Sequence, residues 1–189
     1  MPDDAGWRSK RLGQRGEATS WTGYFWLLRI VVEPQPLKPG LLASQIAEQY
    51  PRARLSVFDL PGCRFNAVAN SSIRTIRGDF FEDDLPPADL TILANVLHDW
   101  PDDDAMRILR AFRRTSRPHA CLCIIEGLTD SHEEKVEIVD LGTPVMFAGR
   151  QRSLAQIGGM LADIGYEVYQ IRKCTEYASA ILARPSGTP

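Results

Sequence analysis

The sequence predicts an α/β fold in which a mostly parallel, doubly wound sheet carries helices on both faces. Apolar runs of strand length alternate with helical patterns along most of the chain, which is typical of βαβ units with right-handed crossovers. The run at 90–97 is apolar almost throughout rather than at every second position, as expected for a strand buried on both faces. We find no internal repeat and no low-complexity tract.

The composition is that of one globular domain. A chain of 189 residues with 44% hydrophobic residues can bury one core. The 22 basic and 24 acidic residues give a formal charge of -2, which predicts neither a nucleic-acid partner nor an anionic membrane. No run approaches the ~18 apolar residues of a membrane span, and the N-terminus resembles no targeting peptide. We therefore expect a soluble, cytoplasmic protein.

The cysteine pattern predicts no metal site. Cys63, Cys121, Cys123 and Cys174 form neither a CxxC pair nor a zinc spacing. Buried, reduced thiols are favoured over the alternative of a disulfide.

The first elements are a strand and a helix. The apolar residues of 1–25 show no helical or strand periodicity, which predicts a poorly ordered or divergent segment. A strand is expected at 25–32. Three prolines make 33–40 a loop. Apolar residues at helical spacing predict a helix over 41–50, which Pro51 ends.

The most informative stretch surrounds His98. The apolar run 90–97 ends in this histidine, which Asp99 follows, and a Trp-Pro break precedes a helical pattern over 102–115. Asp102 suits an N-cap, and acids early and arginines late in the helix suit its dipole. His98 is thus expected at the carboxyl end of a core strand, where open α/β sheets bind their ligands.

His98 has two interpretations. Its imidazole can act as a general base, because its pKa lies near working pH and a neighbouring carboxylate can orient it. Alternatively, it is a partly exposed loop histidine ahead of a helix. Position and residue type leave both open.

The remaining patterns complete the sheet. We expect a short helix at 64–70, a helix at 133–147 despite its glycine and proline, and a helix that Ser153 caps and that runs through Ile164. The last two strands should form an antiparallel pair at the sheet edge. The strands after the first are expected at 54–60, 73–76, 88–97, 119–126, 166–173 and 177–183.

Residues at two further strand ends suggest a nucleotide-binding site. Asp59 ends the second strand nineteen positions after Gly40, a spacing at which a carboxylate can hold a ribose diol. It can equally cap the following turn. Gly78-Asp79-Phe80-Phe81 ends the third strand, where Asp79 can accept from an exocyclic amine and the phenylalanines can wall a purine. Together these residues describe half of an adenosine pocket.

These motifs carry a resemblance. Phe58-Asp59-Leu60-Pro61, Gly78-Asp79-Phe80-Phe81 and Leu97-His98-Asp99-Trp100-Pro101-Asp102, in that order, resemble the catalytic domain of S-adenosylmethionine-dependent O-methyltransferases. That family includes acetylserotonin (hydroxyindole), caffeate-type and bacterial natural-product enzymes. The resemblance covers roughly 40–184. It implies a Rossmann-like class I methyltransferase fold of seven strands, the last inserted antiparallel, with a catalytic domain over 26–184. The Pro-Ser-Gly-Thr-Pro end predicts a frayed tail at 185–189.

The resemblance also implies a cofactor, a substrate and their residues. The cofactor is S-adenosyl-L-methionine, and the substrate is a small aromatic molecule that carries a hydroxyl. Asp59 would bind the ribose, Asp79 and Phe80 the adenine, and Gly40 is the surviving glycine of the family's loop.

By the same resemblance, His98 is the catalytic base that deprotonates the substrate hydroxyl. Asp99 would line the substrate side, and Glu126, at the end of the fifth strand, would support the histidine. Gly149-Arg150-Gln151-Arg152-Ser153 matches the family's Gly-Arg/Lys-Glu-Arg-Thr segment.

Three departures from the family stand out. Prolines occupy 34–40, where the family has a glycine-rich run that passes close to the cofactor. Gln151 replaces a glutamate that the family usually places beside the histidine. Nothing before Phe25 matches the family's helical N-terminal domain, so we expect its dimer interface to be largely absent.

Three functions are therefore compared. The first is an O-methyltransferase, and the second is a methyltransferase-like binding or interaction protein that no longer catalyses. The third, a nicotinamide dehydrogenase, shares the fold class and Asp59 but explains neither His98 nor the Gly78 motif.

Overall fold

A computed structural model describes residues 24–28, 41–61, 73–131, 149–175 and 178–187. Several expectations lie outside these residues. They concern the N-terminal segment before residue 24, Gly40 and the rest of the proline-rich loop, Cys63, and the helices expected at 64–70 and 133–147.

Seven strands form one sheet, in the order β3-β2-β1-β4-β5-β7-β6. The neighbours from β3 to β5 pair in parallel, whereas β7 pairs antiparallel with both β5 and β6. The doubly wound, mostly parallel sheet with an antiparallel last strand is thereby confirmed. The strands are β1 Tyr24–Leu28, β2 Arg54–Asp59, β3 Ile73–Arg77, β4 Leu90–Ala94, β5 Cys121–Glu126, β6 Tyr166–Lys173 and β7 Ser179–Pro185.

Three helices are described: α1 Leu41–Gln49, α2 Asp102–Thr115 and α3 Leu154–Asp163. Ser153 caps α3 as expected, in a capping box with Gln156. The expectation that Asp102 caps α2 is wrong, because the N-cap is Pro101 and Asp102 is already helical. Arginines from the segment before α3 engage the Asp102 carboxylate instead.

The fourth strand is shorter than the apolar run that predicts it. The run extends to residue 97, but β4 ends at Ala94, and Asn95 adopts a left-handed φ of 52°. Val96 and Leu97 are 0% and 1% exposed although they lie outside the strand. The apolar signal therefore reports burial in a turn as well as in a strand.

Two apolar clusters pack on opposite faces of the sheet, because successive strand residues point to opposite sides. On β4, Leu93 belongs to the larger cluster with α2 and α3, and Ile92 belongs to the smaller one with α1. Cys121 and Cys123 are buried thiols on β5, whereas Cys174 is an exposed thiol, contrary to the expectation of burial. In the described parts of the chain, no helix is both long and apolar enough to cross a membrane.

Candidate active site

Glu126 ends β5 and holds the turn that carries His98. One oxygen, Oε1, accepts hydrogen bonds from the backbone N–H groups of Val96 at 3.0 Å and Leu97 at 2.8 Å. The other, Oε2, lies 2.6 Å from Nδ1 of His98. Glu126 is 2% exposed, and a buried carboxylate requires such partners. One side chain thus fixes both the backbone and the ring of the histidine.

His98 lies on a 3₁₀ turn, Leu97–Asp99, and not at the end of the strand itself. Its side chain is 17% exposed, and its second nitrogen, Nε2, lies 3.1 Å from Oδ1 of Asp99. Both ring nitrogens therefore contact carboxylates, unlike those of a solvated loop histidine.

These contacts determine the charge of the ring. Burial lowers the pKa of His98, but the charge of Glu126 and hydrogen bonds to Asp99 and Glu126 outweigh it and raise the pKa to about 10. In this arrangement the ring is an imidazolium at neutral pH. A base role requires it to lose that proton first.

Asp99 retains hydrogen-bonding capacity. The residue is 3% exposed, and its Oδ2 atom is buried with no hydrogen-bond partner among the described residues. Since a buried carboxylate oxygen without a donor is costly, this oxygen is suited to accept a hydrogen bond from a bound molecule.

The second corner of the same edge contains Asp59. This residue ends β2 and is 3% exposed. Its Oδ1 atom accepts from the N–H of Leu60 at 2.8 Å, and its backbone oxygen accepts from the N–H of Gly78 at 3.0 Å. A Cβ at Gly78 would lie 2.6 Å from the ring of Phe58. A larger residue would displace the Phe58 ring, so glycine allows close packing of β2 against the chain that leaves β3.

Asp79 and Phe80 shape the turn after β3. Oδ1 of Asp79 accepts from the N–H of Phe81 at 2.8 Å. The ring of Phe80 is 5% exposed and packs edge-on against Phe81 and Trp100, with centroids 4.7 Å and 5.8 Å away. The ring thus faces the core, whereas the motif suggested a wall for a purine. The adenine contacts of Asp79 and Phe80 stay a prediction.

Sequence reasoning missed Arg152. This arginine is 2% exposed, and its guanidinium donates to the backbone oxygens of Leu97 and Trp100, each at 2.7 Å, and to Oδ1 of Asp102 at 2.9 Å. The segment match included Arg152, but nothing in a short polar segment signals that one of its two arginines is buried. Arg150, the other one, has a side chain 44% exposed.

The structure brings together His98, Asp99 and Glu126 at one corner, and Asp59 and Asp79 at another. Both corners lie at the carboxyl edge of the parallel strands, with β1 between β2 and β4. This edge is where doubly wound sheets bind ligands. The roles of these five residues toward a ligand stay predictions, and Gly40 lies outside the described residues.

Comparison with known proteins identifies relatives. Residues 39–167 match the O-methyltransferase domain family. The chain is 34% identical over 154 residues to acetylserotonin O-methyltransferase from Bos taurus, across 77% of this chain and 45% of that protein. It is 32% identical over 154 residues to a probable bifunctional dTTP/UTP pyrophosphatase/methyltransferase protein from Homo sapiens, across 76% of this chain and 25% of that protein. The chain thus spans between a quarter and just under half of the length of these curated relatives.

The fold agrees with the sequence match. The crystal structure of human N-acetylserotonin methyltransferase in complex with SAM superposes with a TM-score of 0.76 at 30% identity, across 86% of this chain and 47% of that one. The family match runs from before α1 into β6 and includes His98, Asp99 and Glu126. The chain therefore has the class I methyltransferase fold and belongs to the O-methyltransferase domain family.

Proposed function

We propose that the chain is the catalytic domain of an S-adenosylmethionine-dependent O-methyltransferase that acts on a hydroxyl of a small aromatic substrate. The observation that carries the proposal is the buried Glu126 carboxylate 2.6 Å from Nδ1 of His98. It orients an imidazole at the ligand-binding edge of the sheet, as general-base catalysis requires. Relatives named acetylserotonin O-methyltransferase support the substrate class.

The described residues fit the adenosine half of S-adenosylmethionine. Asp59 places a carboxylate at the end of β2, and carboxylates at this position accept hydrogen bonds from ribose hydroxyls. Asp79 and the backbone of Phe80, whose ring faces the core, would meet the adenine from the adjoining turn, and Gly40 would lie on the methionine side. When bound, the cofactor supplies an electrophilic methyl group on its sulfonium sulfur.

His98 would accept the proton of the substrate hydroxyl at Nε2, because Nδ1 is held by Glu126. Glu126 would stabilise the imidazolium that forms. Asp99 would line the substrate side, and in the structure its Oδ1 atom lies 3.1 Å from Nε2 of His98. The substrate hydroxyl must therefore replace Asp99 at Nε2, and the proton already on the ring must first pass to solvent.

This requirement predicts a pH dependence. Turnover should rise with pH toward the pKa of His98, which its carboxylate neighbours raise to about 10. Asp99→Asn removes one of those charges and lowers the pKa of His98. The rise of turnover with pH, which is the rising limb of the pH profile, therefore moves to lower pH. Asp104→Asn is a control, since Asp104 pairs with Arg107 on α2 and should leave the limb in place. An unchanged limb in Asp99→Asn would contradict the proposed arrangement.

The direct test combines binding and turnover. Calorimetric titration with S-adenosylmethionine and S-adenosylhomocysteine measures the cofactor site. Mass-spectrometric detection of methyl transfer to acetylserotonin and a panel of small phenols measures the reaction. Binding of both cofactor forms together with methyl transfer supports the proposal, and absence of binding overturns it.

A second candidate is a methyltransferase-like binding protein that does not catalyse. Two sequence observations favour it: the prolines at 34–40 and Gln151 in place of the family's glutamate. Gln151 is 5% exposed in the structure. Cofactor binding without methyl transfer to any phenol of the panel, at any pH up to the pKa of His98, would favour this candidate over the enzyme.

A further inference from the structure

The turn that carries His98 has little hydrogen bonding of its own. Within it, the N–H of Asp99 reaches the oxygen of Val96 at 3.3 Å, and the N–H of Trp100 reaches the oxygen of Leu97 at 3.2 Å. Both distances lie at or beyond the long end of the usual range for N–H···O bonds. The position of the turn therefore depends on groups outside it.

Arg152 supplies two of those groups. It donates from Nη1 to the oxygen of Leu97 and from Nη2 to the oxygen of Trp100, each at 2.7 Å. These two residues flank His98 and Asp99 on either side, so one planar guanidinium spans the turn. Such a rigid fork cannot be reproduced by a lysine ammonium.

Asp102 holds this guanidinium in place. Nε of Arg152 lies 2.9 Å from Oδ1 of Asp102. The hydrogen bond from Arg150 lowers the pKa of Asp102, burial opposes this in part, and the hydrogen bond and charge of Arg152 lower the pKa further. Asp102 is therefore ionised at neutral pH and balances the buried cation.

Gly149 fixes the same turn by contact. A Cβ at this position would lie 2.1 Å from the backbone oxygen of His98 and 2.4 Å from the backbone carbon of Asp99. Both are backbone atoms and cannot move aside as a flexible side chain can. The chain at Gly149 therefore rests directly on the peptide that joins His98 to Asp99.

Taking the proposed O-methyltransferase function as the starting point, we propose that Arg152 and Gly149 are positioning residues for His98: they fix the backbone of its turn from one side, while Glu126 fixes the ring from the other. Arg152 acts through the backbone, because it contacts Leu97, Trp100 and Asp102 but not the imidazole. Its role is to place the base.

The activity test separates placement from stability. Arg152→Lys retains the charge but cannot span both carbonyls, and an error of about 1 Å at a reacting group can cost ~10²-fold in rate. We expect kcat to fall by about that factor, with the KM for S-adenosylmethionine within about two-fold of the parent. Arg150→Lys is the matched control, since Arg150 contacts Asp102 from an exposed position, and its kcat should match the parent.

A spectroscopic test does not depend on methyl transfer. The short bond between Nδ1 of His98 and Glu126 should give a far-downfield proton resonance in the parent protein. We expect Arg152→Lys and Gly149→Ala to shift or broaden it, and Arg150→Lys to leave it unchanged. If the parent binds no cofactor, the proposed function fails, yet this resonance still tests the positioning role. An Arg152→Lys protein with normal kcat, or with an unshifted resonance, overturns the inference.

Should Arg152→Lys fail to fold, Gly149→Ala answers the same question, because it removes no charge and no hydrogen bond. A folded Gly149→Ala protein with the parent's resonance would likewise overturn the inference.

Discussion

The two corners of the carboxyl edge are held by different kinds of contact. At the β4–β5 corner, the bonds that hold the His98 turn join residues 28 to 55 positions apart. At the β2–β3 corner, Asp79 accepts from the N–H of Phe81 two positions away, and the oxygen of Asp59 accepts from the N–H of Gly78 nineteen positions away. The first corner therefore depends on contacts that span more of the chain than those at the second.

The largest effect should come from the base itself. His98→Gln is expected to lower turnover by roughly 10²–10⁴-fold, the usual contribution of a positioned general base, while cofactor affinity stays within a few-fold of the parent. Steady-state kinetics and calorimetry on the same preparation check this. Normal turnover in His98→Gln would make His98 a structural residue of the turn.

Removing Glu126 should disrupt the β4–β5 corner as a whole. Glu126→Ala leaves two backbone N–H groups and a buried imidazolium without their acceptor, so we expect a loss of about 3–5 kcal/mol in the free energy of unfolding. Urea denaturation measures it. Asp84→Ala is the control, because it breaks only an exposed pair with Arg114, a type of pair that contributes about 0.2–1 kcal/mol. Equal losses in the two variants would contradict the comparison.

Asp59→Ala tests the β2–β3 corner. The affinity for S-adenosylhomocysteine should fall by about 1.5–3 kcal/mol, as for a hydrogen bond to a charged group. Calorimetric titration measures the change. Glu167→Ala, at the far edge of the sheet on β6, should bind like the parent. Unchanged affinity in Asp59→Ala would remove Asp59 from the proposed pocket.

The smallest effect, taken per pH unit, is the dependence of stability on pH. The pKa of His98 is raised from 6.5 to about 10 in the folded state, so its stabilisation is complete below about 6.5 and is lost as pH rises through about 10. The free energy of unfolding should fall across that window by at most about 1.4 kcal/mol per pH unit. Denaturation at several pH values should show a flatter dependence in His98→Gln. An equally steep dependence in that variant would assign the proton to another group.

Local patterns predicted much of the fold. The bounds of α2 coincide with the expected 102–115, and Ser153 forms the expected cap of α3. In both cases the start and the apolar spacing are encoded within one element. The antiparallel pair at the sheet edge was expected and is confirmed, although β7, Ser179–Pro185, is shifted two residues toward the C-terminus relative to 177–183.

The errors arose where distant residues decide the outcome. Nothing near Asp102 shows that arginines about fifty positions later bind its carboxylate and leave the N-cap to Pro101. The end of β4 depends likewise on Glu126, which binds the N–H groups of Val96 and Leu97. Proximity of His98 to Glu126 was predicted through the family resemblance, because no local pattern links two residues 28 positions apart.

The span between Leu97 and Arg152, 55 positions, also has a consequence in time. The ribosome synthesises a chain at about 5–20 residues per second, and domains fold as they emerge. The residues of the His98 turn are therefore made seconds before the arginine that bridges them. Closing a long loop also costs entropy before its contacts can compensate. The nascent chain therefore carries the His98 turn without its bridging arginine until residue 152 has left the ribosome. Glu126, which also holds the turn in the finished protein, is synthesised earlier.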